Sequence, residues 1–143
     1  MASLRSCPCY CGVVMGRRRE GDLLARLMGA WAGLQRGDQA GLSSILAEGV
    51  VWQGVLPGQV CNGRHEVVDF MAPRGHGLAP ITRMEAEEIG DRVALSVRGP
   101  AFPKTDVHEA DDPRSLVFTF RDGLVVRIDS FATPEAALQM AAG

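Results

Sequence analysis

Two periodicities in a fixed order constrain this chain more than anything else in it. Between Gly21 and Gly37, apolar residues recur at steps of three and four, at Leu23, Leu24, Leu27, Met28, Trp31 and Leu34, which is one stripe of an amphipathic helix. In the second half the pattern alternates or runs apolar over 81–89, 92–98, 115–121 and 124–131, with Gly90-Asp91 and Asp122-Gly123 at two of the joints as hairpin turns. Helices first and an antiparallel meander second predict an α+β fold, with the helices packed on one face of a curved sheet. The alternation of strand and helix that a doubly wound fold requires is absent.

The middle of the chain is punctuated by turn residues. Asp22 is the expected N-cap of the first helix and Gly37 its stop. Asp38 is expected to cap a second, shorter helix with Leu42, Ile45 and Leu46 on one face and Gly49 at its end. Val50 to Gly54 reads as a short strand running into the turn Leu56-Pro57-Gly58. Asn62 or Gly63 opens a third helix that turns Val67, Val68, Phe70 and Met71 to the core, and Pro73 stops it. A long polar connection lies between Gly99 and Pro113, and connections of that length are usually functional or mobile.

Composition narrows the function classes. A length of 143 residues suits one domain with a real core. Fifteen basic groups against seventeen acidic ones, a net charge of −2, give no basic footprint for nucleic acid. No run approaches the roughly 18 apolar residues of a membrane span, so the expectation is a cytoplasmic chain with neither nucleic acid nor membrane as partner. Fourteen arginines to a single lysine fit a GC-rich bacterial genome.

Cys7, Cys9 and Cys11 crowd into SCPCYCG, a spacing too tight to turn paired sulfurs onto one tetrahedral zinc. No charged leader followed by an apolar run argues for an oxidising compartment. Residues 1–18 are expected to be a disordered extension and 19–143 the domain, with Met15 as an alternative start. No metal and no cofactor is expected: the phosphate-cradling, metalloprotease and nucleophile-elbow motifs are all absent.

The order helix, helix, strand, helix, four strands resembles the nuclear transport factor 2-like superfamily, and more narrowly the SnoaL-like proteins related to polyketide cyclases. The matching text is Trp31 with Gly37-Asp38, Val50-Val51-Trp52, Gly63-Arg64 with Val67, and Phe118-Thr119-Phe120-Arg121-Asp122-Gly123 with Val126. The resemblance covers about residues 20 to 139. It implies a cone, a curved sheet wrapped round the long first helix with a pocket at the open end, often in a homodimer. It spans polyketide cyclases, ketosteroid isomerases, epoxide hydrolases, dehydratases and binding proteins, so fold alone does not choose among them.

Residue by residue, the machinery implied by the resemblance is missing. The isomerase base falls at Gly54 and the polarising phenol near Ala30. The acid near the end of the last strand falls at Ser130, with Asp129 one step away and therefore on the opposite face. Arg127 and Asp129 share a face, as an outer cross-strand pair or as part of a site. By the isomerase analogy Trp52 faces the cavity, and Trp31 lies on the wrapped helix. Two indoles suit an aromatic or polycyclic ligand, each with a large apolar surface and one donor. Phe118 and Phe120 share a face with Leu116 and reach toward the core or the cavity floor, and Met28 and Met84 are gap-fillers.

His76, between glycines after the third helix, is the favoured acid or base, with His65 in that helix's first turn as second choice. His108 sits in an acidic loop with no rigid element to hold a metal. Arg98 or Arg64 is a candidate fork for a carboxylate or enolate oxygen. Cys61, just before the third helix, is a candidate thiolate with His65 as its base, or a small packed residue. Three functions follow as expectations: a pocket lined by Trp31, Trp52, Gly54, Phe118, Phe120, Arg98 and Ser130 that binds a small, largely apolar ligand; a cyclase, isomerase or hydrolase using a histidine; or a non-catalytic module for dimerisation or partner binding.

Overall fold

The computed structural model describes residues 13–15, 22–71, 83–98 and 113–143. The predicted stripe folds as α1, Asp22–Gln35, and buries Leu24, Leu27, Met28 and Leu34. Gly37 stops it in the left-handed region at φ 85. The Gly37 N–H then reaches the Leu34 carbonyl at 3.0 Å and the Asp38 N–H the Gly33 carbonyl at 2.8 Å, the paired bonds that close a helix onto a C′ glycine. At the other end the free Leu24 N–H is met by a carboxylate oxygen of Glu88 at 3.1 Å, from a strand far along the chain.

Asp38 does serve the second helix, α2, Ala40–Ile45: its Oδ1 accepts the Ala40 N–H at 3.0 Å from one position before the N-cap Gln39. This helix ends four residues earlier than Gly49. Leu46 turns extended, pairs with Val125 and begins a strand that continues, across a register shift, to Gln53. Here tertiary pairing overrides helical propensity.

Among the described residues seven strands form one curved, open sheet in the order β1-β4-β5-β6-β7-β2-β3. They are β1 (Val13–Met15), β2 (Leu46–Gln53), β3 (Val60–Asn62), β4 (Arg83–Ile89), β5 (Arg92–Arg98), β6 (Arg114–Arg121) and β7 (Leu124–Phe131), with α3 (Arg64–Met71) between β3 and β4 and α4 (Pro134–Ala142) at the end. The meander β4–β7 is antiparallel throughout. Asp122 and Gly123, at φ 55 and 82, make the two-residue turn with both centres left-handed, and Gly90 at φ 62 opens the other hairpin. The sheet is mixed: β2 runs parallel to β7, and β1 parallel to β4. Val13–Met15 pairs residue by residue with Met84–Ala86 at one edge of the sheet.

The two faces of the sheet carry different loads. The inner face holds the main core, where α1, α2 and α3 pack on Val93, Leu95, Phe118, Phe120, Val125 and Ile128. The outer face holds a smaller cluster, Ala94 and Val117 under Ala137 and Ala141 of α4. That helix is capped by the Thr133 hydroxyl, which accepts the Ala136 N–H at 3.2 Å, with Pro134 in its first turn. Arg92 reaches its last turn and donates to the Met140 carbonyl at 2.9 Å.

Candidate functional site

The inner face ends in an aromatic corner. Trp52 is in register with Cys61 on one side and Ile128 on the other. Its indole Nε1 donates to the Ser130 hydroxyl at 2.8 Å. Phe70, from the last turn of α3, stands nearly perpendicular to it, ring centroids 4.9 Å apart at 81°. Phe70 was expected in the core; instead it is 60% exposed, held at the rim by the edge of Trp52. Because the Ser130 oxygen accepts from Trp52, its own hydrogen is directed away from that indole.

Trp31 packs against the same core from α1, and its Nε1 is buried with no hydrogen-bond partner among the described residues. A buried donor left unmade costs about 1–3 kcal/mol. Phe118 and Phe120 lie deeper, at 0% and 2% exposure, so they are floor and core and offer a ligand no surface.

Gly54 is not open space. Its N–H donates to the Gln59 carbonyl at 2.6 Å, and a Cβ built there would lie 2.6 Å from the Gln59 Cβ and 3.2 Å from the Gln59 carbonyl oxygen. Gln59, chiefly its side chain, therefore closes over the position at which the resemblance would put a base. Arg98 falls on the other face. It ends β5 in register with Arg83, beside a shallow outer depression of about 300 Å³ shared with Glu85, Ser96 and the start of α4. Asp129 also faces outward, in register with Val117, 8% exposed, with the Arg127 Nε 3.1 Å from each carboxylate oxygen. The Arg127–Asp129 spacing is thus an outer ion pair.

Cys61 does not meet the requirements of a nucleophile. Burial, with Glu66 adding to it, pushes its thiol above the ordinary value of 9.0, which favours the protonated form. Its side chain packs against the core, whereas His65 is exposed, and no hydrogen bond joins them. With Cys7, Cys9 and Cys11 replaced by serine, iodoacetamide should label Cys61 more slowly at neutral pH than it labels a free thiol. The rate should keep rising with pH beyond 9.0, where labelling of a thiol of ordinary acidity levels off. Labelling at neutral pH faster than the free thiol contradicts this placement.

His65 lies instead on a groove of about 590 Å³ between α2, β2 and the first turn of α3, with Arg64 beside it. The Asn62 N–H is taken by a Glu66 oxygen at 2.8 Å, which fixes that first turn. His76, His108, Cys7, Cys9 and Cys11 lie outside the described residues. Among the described residues no three His, Cys, Asp or Glu are placed to hold a metal ion, and no helix is long and apolar enough to cross a membrane.

No family model and no curated protein matches the sequence. Solved structures do match the fold. A nuclear transport factor 2-like protein of unknown function from Burkholderia pseudomallei K96243 superposes with TM-score 0.55 at 18% identity, over 85% of this chain and 98% of that one. A candidate SnoaL-like polyketide cyclase from Jannaschia sp. CCS1 gives 0.53 at 19%, over 89% and 97%. TerC, co-crystallised with polyporic acid, gives 0.55 at 20%, over 85% and 99%. The chain has the nuclear transport factor 2-like fold, a curved sheet around an N-terminal helix.

Proposed function

We propose that this chain binds a small, largely apolar molecule against the aromatic corner of the inner face, without transforming it by the carboxylate chemistry that its fold relatives suggest. The observation that carries this reading is the Trp52–Phe70 pair. It is a large aromatic surface with Phe70 60% exposed at the rim of the core, next to a serine hydroxyl whose hydrogen has no acceptor among the described residues. Apolar walls with a few placed polar groups are the general composition of ligand sites. The Trp31 Nε1, without a partner among the described residues, is a second donor on the same core. That TerC is co-crystallised with polyporic acid supports a small-molecule role for a fold of this kind. Against turnover stands Gly54, where Gln59 fills the space that a base would need.

The neutral probe N-phenyl-1-naphthylamine tests this directly, because Trp31 and Trp52 are the chain's two tryptophans and both report on it. Saturable probe emission with quenching of tryptophan fluorescence is expected. Phe70→Ala, which removes an exposed ring, should weaken the binding about tenfold, some 1.4 kcal/mol. Unsaturable binding, or binding indifferent to Phe70→Ala, overturns the assignment.

A further inference from the structure

The groove between α2, β2 and α3 is separate from the aromatic corner: none of Trp52, Phe70 and Ser130 lines it. It is an open groove of about 590 Å³, and it is lined by Gln39 at the N-cap of α2, Ala40 and Ser43 of α2, Glu48 of β2, Gly63, and Arg64, His65 and Val68 of α3. Gly63, at φ 93, brings the start of α3 against β2: its N–H donates to the Val50 carbonyl at 2.7 Å, and a Cβ there would lie 3.8 Å from the Glu48 carbonyl oxygen.

The charges in this groove are of both signs and do not satisfy each other. Arg64 is half-buried, and its Nε donates to the Leu46 carbonyl at 3.2 Å, which pins the guanidinium to the β2 backbone. That bond uses one of five donors, and among the described residues the terminal nitrogens have no other partner. The Glu48 carboxylate has no hydrogen bond or ion pair among the described residues, and none joins it to Arg64. A pinned guanidinium and an unpaired carboxylate on one groove complement a ligand that carries an anion and a cation a few bonds apart. Ala40 and Val68 add an apolar wall, and Ser43 and Gln39 neutral polar groups.

We propose that this groove binds a free α-amino acid with an aliphatic side chain. The α-carboxylate lies on the Arg64 fork, the α-ammonium on Glu48, and the side chain against Ala40 and Val68. Arginine suits the carboxylate because its planar donors match it in pairs. Neither charge of such a ligand is left unpaired.

Titration of the full chain with L-leucine, followed by amide shifts in NMR spectra, tests this against two analogues that each lack one charge, 4-methylpentanoate and 3-methylbutylamine. Saturable shifts at Ala40, Ser43, Arg64 and His65 are expected with leucine, and each analogue should bind at least about tenfold more weakly. Glu48→Gln, at an exposed residue that holds no other group among the described residues, should bring leucine down to the level of 4-methylpentanoate. Arg64→Gln should abolish leucine binding, with the amide spectrum of distant strands confirming the fold. Equal binding of leucine and 4-methylpentanoate, leucine binding unmoved by Glu48→Gln, or no saturable shift up to about 20 mM leucine each overturns the proposal.

Discussion

Phe118→Ala should lower the free energy of unfolding by about 3–5 kcal/mol, the upper part of the range for emptying a buried aromatic site. Phe118 is the largest fully buried side chain among the described residues, and it lies in the middle of β6. Its register partners, Val93 on β5 and Ile128 on β7, are themselves fully buried. Neighbours fixed by two ladders cannot collapse into the space, so the cavity cost adds to the lost transfer free energy. Urea unfolding followed by far-ultraviolet circular dichroism measures it. A loss below about 1 kcal/mol would place the centre of the core elsewhere, since changes of that size are common even at ordinary sites.

Gly54→Asp should fail as a gain of function and succeed as a loss of stability. The substitution restores, on paper, the carboxylate that the isomerase resemblance places there. In this backbone the new Cβ meets the Gln59 Cβ at 2.6 Å, closer than non-bonded contact permits, so either the β2–β3 turn or the Gln59 side chain must move. Overpacking of this kind costs about 1–3 kcal/mol. Gln59→Gly removes the two closest atoms and should recover part of the loss in the double variant, although the carbonyl contact at 3.2 Å remains. The same urea measurement decides it: a Gly54→Asp chain as stable as the parent would show that the turn is loose enough to carry a base, and would reopen the catalytic reading.

The strands of the second half were legible because their turns announce themselves. Asp122-Gly123 and Gly90 sit at positive φ, where sequence and geometry agree, and the ranges 92–98 and 124–131 coincide with β5 and β7. The helical stripe of α1 and its glycine stop were legible for the same local reason. What the sequence hid is non-local. Leu46 looks helical until Val125 is found beside it, and β3 is three residues with no period of its own. By contrast, α4 carried a readable signal in Thr133-Pro134-Glu135, a capping hydroxyl followed by proline and an acid in the first turn, that the strand pattern before it overshadowed.

The site was less legible than the fold, and for a physical reason. Strand parity correctly placed Asp129 and Ser130 on opposite faces, and Trp52 shares its hydrogen bond with Ser130. Parity alone does not say which face meets solvent, so Arg98, which looks like an anchor for a ligand oxygen, sits outside beside Arg83. Phe70 was read as core because helix spacing put it near Val67 and Met71. Its exposure follows from where α3 ends relative to Trp52, which no local pattern encodes.

The central claim, that the inner aromatic corner holds a small apolar molecule, is tested most directly by native mass spectrometry of the protein purified from its own host. The account predicts a folded species heavier than the chain by the mass of one small molecule, released on denaturation and lost in Phe70→Ala. A folded species at the bare mass of the chain, from host-purified protein that also fails to take up the naphthylamine probe, would contradict it.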